Sequence, residues 1–266
     1  MDLDGTTLQP DGRISDRLKA AVKRARQAGI HVILATGRMV KSAEPFWKEL
    51  ELSPGPLIAY QGAVVANMPS GEIVAHTLLP GDGAKLAVRW ALDRELLTQV
   101  YVGSELWVSR EDSRVRAYIE KNHIPAWVRD ADEMLEWPEP PIKVLIQDEP
   151  EVLDRVRREL EPHLKDAPIR VFKSQPDYLE LVHQDVGKAV GLRAAAEALQ
   201  VPQAQVMAIG DAENDMDMLA WAGLGVAMGQ APEAVKQQAN VVTGTIEQDG
   251  AAQAIERYAL GMDVVN

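Results

Sequence analysis

The sequence predicts an α/β protein built on a doubly wound parallel sheet, with a second α+β domain inserted into it. Short apolar runs alternate with helical segments at both ends of the chain, as in parallel strands joined by crossover helices. Between residues 81 and 183 this alternation gives way to hairpins and paired strands. We therefore expect the core to comprise residues 1–80 and 184–266, and the inserted domain to comprise residues 81–183.

The first part of the core is expected to begin with a helix over residues 14–29. Apolar residues such as Leu18, Val22 and Ala25 recur there at helical spacing, and Gly29 ends the pattern as a C-cap. The elements expected next are a strand over 31–35, a helix over 41–50, a strand over 57–60 and a hairpin of 64–67 with 72–75.

The inserted segment carries four of the six Trp residues of the chain. We expect helices over 84–97, 112–122 and 150–164, and strands over 100–102, 106–108, 143–147, 169–172 and 178–182. In the second part of the core we expect helices over 187–199, 214–222, 232–238 and 250–260, and strands over 205–209, 225–227 and 240–243.

The composition limits the classes of function. The 266 residues include no Cys, which excludes disulfides, thiolate metal sites and a Cys nucleophile. A formal net charge of -12 and the lack of a basic stripe argue against nucleic acid as a partner. No apolar run approaches the ~18 residues of a membrane span, and no signal peptide is recognisable. We therefore expect a cytoplasmic protein that does not bind membranes.

The segment from Asp2 to Thr6 places two carboxylates, Asp2 and Asp4, two residues apart. At the end of a strand both would lie on one face, because the side-chain period of a strand is 2. Phosphoryl transfer through an aspartyl phosphate needs one carboxylate as nucleophile and a second as acid and base. Gly5 would allow the chain to turn tightly toward a phosphate. A solvated turn remains the alternative interpretation.

Two further segments offer groups that bind phosphate. Thr36, Gly37 and Arg38 follow an apolar run and supply a hydroxyl, a backbone amide and a guanidinium. Lys188 follows Gly187 at a predicted helix start, where its ammonium could offset clustered carboxylates. Thr36 could instead be an N-cap residue, and Lys188 an ordinary surface lysine.

The segment from Gly210 to Asp215 is the most specific. Gly210 directly follows an apolar run and Asp211 comes next, and Mg²⁺ prefers carboxylate oxygens combined with phosphate and water. An EF-hand is excluded, because Met216 and Ala222 stand where its Gly and Glu would be. An acidic helix start, stabilised by the helix dipole, is the remaining alternative.

In order and spacing these motifs resemble the haloacid-dehalogenase-like (HAD) superfamily hydrolases, specifically the Cof-type phosphatases. The segments 179–181, 225–229, 231–233 and 249–250 add to this resemblance, which covers nearly the whole chain. It implies a Rossmann-like core and an inserted α/β cap of the Cof-type C2 kind. It also implies Mg²⁺-dependent hydrolysis of a small phosphorylated metabolite, such as a sugar phosphate or a phosphorylated cofactor.

The resemblance also implies roles for individual residues. Asp2 would be the nucleophile and Asp4 the acid and base, with Thr36 and Lys188 holding the phosphate. The implied substrate-binding residues are Gly37, Arg38 and Asn214, and the implied Mg²⁺ ligands are Asp2, Asp4 through its carbonyl oxygen, Asp211 and, in support, Asp215.

This chain departs from the family pattern at three places. Gln61 and Gln230 stand where family members often have Asn, which affects substrate contacts. Only Met1 remains of the strand that should precede Asp2. We therefore expect the natural protein to start about five to ten residues upstream with a β-branched, apolar run. We also expect residues 1–4 to lie between the strands that end at Ala35 and Ile209.

Two other functions remain open at this point. A phosphomutase would use the same aspartyl phosphate but transfer the group to a second hydroxyl. A catalytically impaired relative would bind a ligand or regulate another protein. The sequence determines neither the substrate nor the oligomeric state.

Overall fold

The computed structural model describes residues 1–122 and 124–262, without the side chains of residues 121 and 122. The chain forms two compact units. The first comprises Met1–Ala75 and the chain from Gly187 onward, and the second comprises His76–Val186.

The regular elements alternate along the chain as the α/β prediction requires. The helices are α1 (Asp16–Gln27), α2 (Val40–Glu49), α3 (Gly81–Leu92), α4 (Ser113–Asn122), α5 (Pro150–Leu160), α6 (Lys188–Ala198), α7 (Met216–Trp221), α8 (Glu233–Lys236) and α9 (Gly250–Ala254). The strands are β1 (Gly55–Ala59), β2 (Val64–Met68), β3 (Glu72–His76), β4 (Leu97–Val102), β5 (Glu105–Val108), β6 (Ala126–Val128), β7 (Lys143–Gln147), β8 (Ile169–Gln175), β9 (Tyr178–His183), β10 (Met207–Gly210), β11 (Leu224–Ala227) and β12 (Val241–Val242).

The first unit contains two three-stranded sheets. Strands β10, β11 and β12 pair in parallel in that order, with Ile209 opposite Val226 and Val226 opposite Val241. The other sheet has the order β1-β2-β3, in which β1 and β2 are antiparallel. The predicted hairpin of β2 and β3 is confirmed.

The first residues of the chain lie between these two sheets. The α-amino group of Met1 donates to the carbonyl of Ile33 at 2.8 Å, and Ala35 N–H donates to the Met1 carbonyl at 2.9 Å. On the other side, Asp2 N–H donates to the Ile209 carbonyl at 2.9 Å. The expected position of residues 1–4 is confirmed. The expected upstream strand stays a prediction.

The predicted strand over 31–35 is wrong as a regular element. Only a single parallel bridge forms there, between Ala35 and Ile58. Thr36 N–H donates to the Ile58 carbonyl and Ile58 N–H to the Leu34 carbonyl, and these two bonds make up the bridge. A rung farther back that used residue 56 as donor is excluded, because Pro56 has no N–H. On the opposite side, Met1 supplies the hydrogen bonds to Ile33 and Ala35.

Most other predicted elements are confirmed within a few residues, with two exceptions. The helix predicted over 84–97 ends at Leu92, because the chain turns at Glu95 with φ of 55° and β4 begins at Leu97. Strand β6 has no counterpart among the predicted strands. It has only three residues, of which Trp127 is half exposed, and it is defined by parallel pairing with β5.

Helix α1 shows how the local sequence places an element against the core. The side chain of Ser15 accepts a hydrogen bond from Leu18 N–H and caps the helix. The predicted apolar face, with Leu18, Val22 and Ala25, is buried in the main cluster of the first unit. Gly29 follows the helix with φ of 81°, as expected of a C-cap glycine.

The second unit has a six-stranded sheet with the order β6-β5-β4-β7-β9-β8. Val144 and Ile146 of β7 lie in a buried apolar cluster, and so do Val88 of α3 and Leu153 of α5. Lys143 and Glu180 form a buried ion pair at 3.0 Å on neighbouring strands. In the described part of the chain, no helix is long and apolar enough to cross a bilayer.

A cavity of about 550 Å³ in the first unit is lined by Met1, Ile33 and Met207, among others. Leu224 N–H donates to the Val206 carbonyl, and Met228 N–H donates to the Gly210 carbonyl. Because successive residues of a strand direct their N–H and C=O groups to opposite sides, the N–H and C=O of Met207 face away from β11. The cavity has apolar walls and a strand backbone along one side.

We expect a short β-branched extension fused in front of Met1 to occupy this cavity and stabilise the protein. Each buried aliphatic side chain contributes about 1.5–3 kcal/mol, and each kcal/mol raises Tm by about 2–4 °C in a protein of this size. Differential scanning calorimetry should show a Tm at least about 5 °C above that of a Gly/Ser extension of equal length. Equal Tm values for the two extensions would contradict the expectation.

Candidate active site

The four sequence motifs meet at one edge of the first unit, around a buried lysine. Lys188 is the first residue of α6, and its Nζ donates to Asp2 Oδ1 at 2.5 Å and to Asp215 Oδ1 at 2.6 Å. Lys188 is only 1% exposed, and Asp215 is fully buried. The surface-lysine alternative for Lys188 is therefore wrong, and so is the solvated-turn alternative for Asp2, which is also buried.

Asp215 also shapes the loop that follows β10. Its Oδ2 accepts hydrogen bonds from the backbone N–H groups of Asp211 at 2.9 Å and Ala212 at 3.0 Å. Gly210 leaves room for this side chain, since a Cβ there would lie 2.6 Å from Asp215 Cγ. One oxygen of Asp215 thus fixes the loop while the other binds Lys188.

Asp211 faces the turn that follows Asp4. Thr6 Oγ1 donates to Asp211 Oδ1 at 2.7 Å. Gly5 has φ of 85°, and a Cβ there would lie 2.4 Å from Asp211 Oδ2, so only glycine fits. Asp2, Asp211 and Asp215 each offer an oxygen within 4.8 Å of the others.

The electrostatics of this carboxylate cluster favour a cation. Burial, together with repulsion by Asp215 and Asp211, raises the pKa of Asp2 well above its usual range despite the opposing effect of Lys188. Burial raises the pKa of Asp211 to about 6, with the hydrogen bond from Thr6 opposing and the charge of Asp215 adding to the shift. Burial acts to lower the pKa of Lys188, but Asp2 and Asp215 outweigh it and raise that pKa. Hard oxygen donors with excess negative charge fit Mg²⁺.

The segment from Thr36 to Arg38 lies at the same edge. Thr36 is buried, and its Oγ1 accepts a hydrogen bond from Arg38 N–H at 3.1 Å. The Arg38 guanidinium binds the Asp4 carboxylate through both oxygens, at 2.8 Å and 2.6 Å. The Asp4 side chain is 43% exposed and so remains accessible. Phosphate binding by Arg38 stays a prediction.

Two glutamines belong to the site, although the sequence marked them only as departures from the family pattern. Asn214 Nδ2 donates to Gln61 Oε1 at 2.8 Å. Gln230 Nε2 donates to the Gly5 carbonyl at 2.7 Å, and its Oε1 accepts from Ile246 N–H at 2.9 Å. Gln61 follows β1 and Gln230 follows β11. Their positions just after strands could have indicated that they belong to the site, because ligands bind at that edge of such a sheet.

Comparisons with known proteins agree over almost the full length. A family model described as haloacid dehalogenase-like hydrolase matches residues 1–255. The chain is 31% identical over 264 residues to 5-amino-6-(5-phospho-D-ribitylamino)uracil phosphatase YitU of Bacillus subtilis, covering 97% of this chain and 96% of that protein. A haloacid dehalogenase-like hydrolase from Bacteroides thetaiotaomicron has a solved structure with 34% identity and a TM-score of 0.86, covering 96% of this chain and 97% of that one. The structure of TM0651 from Thermotoga maritima has 30% identity and a TM-score of 0.84, covering 96% of this chain and 95% of that one.

The raised pKa of Asp211 predicts how pH affects the metal-free protein. Because the folded state holds this proton more tightly than the unfolded state, Asp211 costs stability increasingly as the pH rises from about 4 to about 6. The cost reaches about 3 kcal/mol at most. Asp211→Asn should therefore gain stability over the wild type as the pH rises, in denaturant unfolding with EDTA present. The exposed Asp166→Asn is the control, and a pH-independent difference for Asp211→Asn would contradict this assignment.

Proposed function

The chain belongs to the haloacid dehalogenase-like hydrolase family, in its Cof-type branch, and on that premise we propose that it hydrolyses phosphomonoesters of small metabolites with Mg²⁺. The reaction proceeds through an aspartyl phosphate on Asp2. The observation that carries this proposal is the buried Lys188 held between Asp2 and Asp215, with Thr36 at the same edge.

In the first step, a carboxylate oxygen of Asp2 attacks the phosphorus of the bound ester. The new oxygen–phosphorus bond forms as the bond to the leaving oxygen breaks, and Asp4 donates a proton to that oxygen. In the second step, water attacks the phosphorus of the aspartyl phosphate while Asp4 accepts a proton from that water. The bond between phosphorus and the Asp2 oxygen breaks, which releases inorganic phosphate and restores Asp2 as a carboxylate and Asp4 as a protonated acid.

The chain's own groups support both steps. Lys188 orients Asp2 through the hydrogen bond to Oδ1, and its charge can also stabilise a phosphate oxygen. Arg38 holds the Asp4 carboxylate through both oxygens and so fixes its direction. Thr36, Gly37 and Asn214 are the proposed donors to the phosphate, as a hydroxyl, a backbone N–H and an amide.

The donor set fits Mg²⁺, which Asp2, the carbonyl oxygen of Asp4, Asp211 and Asp215 would hold. When bound, the ion would offset negative charge on the carboxylates and the phosphate. Asp215 would act mainly in support, because its two oxygens already bind Lys188 and the loop amides.

The substrate is proposed to be a small phosphorylated metabolite, such as a sugar phosphate or a phosphorylated cofactor precursor. YitU is named for a phosphorylated ribitylaminouracil, a compound of this size and type. The unit His76–Val186 interrupts the first unit in sequence and has its own core, and we propose that it is the cap that selects the substrate. The net charge of -12 disfavours nucleic acid.

Replacing the two carboxylates of the first motif should separate their roles. Asp2→Asn should abolish turnover of p-nitrophenyl phosphate, because an amide cannot form the acyl phosphate. Asp4→Asn should lower kcat by roughly 10²–10⁴-fold, the usual value of general acid–base catalysis. The exposed Asp82→Asn should leave the rate unchanged. A near-normal rate for Asp2→Asn would contradict the proposed mechanism.

Removal of metal should stop the reaction without unfolding the protein. EDTA should abolish phosphatase activity, and excess Mg²⁺ should restore it, while far-UV circular dichroism stays constant. Asp211→Asn should need more Mg²⁺ for half-maximal activity, because one carboxylate ligand is lost. Activity that survives thorough chelation would rule out the assigned role of Asp211.

A further inference from the structure

The turn between β1 and β2 has an unusual backbone for its sequence. Tyr60, Gln61 and Gly62 have consecutive φ values of 50°, 60° and 93°. Only glycine adopts such values readily, so two of the three residues are held in a sparsely populated conformation. Local strain of this kind persists where the surrounding structure fixes it.

The surrounding structure here is the proposed phosphate site. Tyr60 N–H donates to the Arg38 carbonyl at 3.0 Å, and Gln61 N–H donates to the Thr36 carbonyl at 3.0 Å. A Cβ on Gly62 would lie 2.0 Å from the Gly187 carbonyl oxygen, directly before Lys188. The turn therefore packs against two of the motifs that carry the proposed phosphate donors.

The side chain of Gln61 reaches a third motif. It is 4% exposed, and its Oε1 accepts the hydrogen bond from Asn214 Nδ2 at 2.8 Å. Its Nε2 lies so close to Gly37 that a Cβ there would approach it to 2.4 Å. One buried amide thus spans the gap between the Thr36–Arg38 loop and the loop that follows β10.

We propose that Gln61 is a positioning residue for phosphate binding: it orients the amide of Asn214 toward the substrate and packs against Gly37. This inference rests on the proposed function, in which Asn214 and Gly37 contact the phosphate. An amide nitrogen carries two donors, so the bond from Asn214 to Gln61 is compatible with a second bond to a phosphate oxygen. Gln61 acts through Asn214 and does not touch the substrate.

The test compares Gln61→Gly with Gln200→Gly. Glycine accepts the left-handed backbone, so each variant removes a side chain without adding strain. Gln200 has the same residue type and a similar φ of 56°, but it is exposed at the end of α6. Inorganic phosphate serves as the probe, both as a competitive inhibitor of p-nitrophenyl phosphate hydrolysis with Mg²⁺ and by direct titration calorimetry.

Gln61→Gly should raise KM and the phosphate inhibition constant by about 3–10-fold, the value of one hydrogen bond. Gln200→Gly should change neither constant. Asn214→Ala should have an effect of similar size, and the double variant should lose no more than Asn214→Ala alone, because Gln61 acts through Asn214. Gln61→Asn keeps an amide and tolerates the backbone, so it should recover part of the loss.

The outcomes separate this inference from the proposed function. A wild type that hydrolyses the ester, together with an unchanged phosphate constant in Gln61→Gly, would overturn the role of Gln61 alone. So would fully additive effects of Gln61→Gly and Asn214→Ala. A wild type that neither hydrolyses the ester nor binds phosphate would overturn the proposed function, and this inference with it.

Discussion

The buried ion pairs of Lys188 hold the first unit of this protein together at its site. They join three segments that are far apart in sequence, those of Asp2, Lys188 and Asp215. A lysine that is 1% exposed is costly to bury alone, and so is each of its two carboxylate partners. Removing one partner of such a group typically lowers the free energy of unfolding by about 3–5 kcal/mol, because the remaining charge is left uncompensated. The three segments are therefore energetically dependent on one another.

The backbone around this group determines which loops can surround it. Asp2 N–H binds the Ile209 carbonyl, so the first motif is fixed to the end of β10. Glycines at positions 5 and 210 admit the carboxylates of Asp211 and Asp215 at distances that a Cβ would not allow. The same close packing raises the pKa of Asp211, mainly through burial. The fold thus brings several negatively charged carboxylates together, and a site of this kind fits a cation.

The second unit has its own sheet and core. Lys143 and Glu180 form a buried ion pair on adjacent strands of this unit. Burial by itself would lower the pKa of Lys143, but the attraction of Glu180 contributes to a net rise. The chain thus combines a unit formed from both ends of the sequence, which holds this charge cluster, with an inserted unit that has a core of its own.

The sequence by itself determined the family, the α/β class and most of the residues that meet at the site. The predicted membership of the HAD-like, Cof-type hydrolases is confirmed. It could be predicted because the motifs are local, and two of them, Thr36–Arg38 and Gly210–Asp215, directly follow apolar runs. Periodicity likewise placed most of the helices within a few residues, since it depends only on neighbouring positions along the chain.

Only the tertiary structure decided how polar side chains pair across the site. The sequence predicted Arg38 as a phosphate-binding residue, and only the structure revealed that its guanidinium pairs with Asp4. The sequence marked Gln61 only as a departure, whereas the fold sets its amide against Asn214. The strand predicted over 31–35 was wrong for a similar reason, because only Ala35 forms a bridge to Ile58, which is remote in sequence. Such pairings depend on distances between residues remote in sequence, and the fold alone sets those distances.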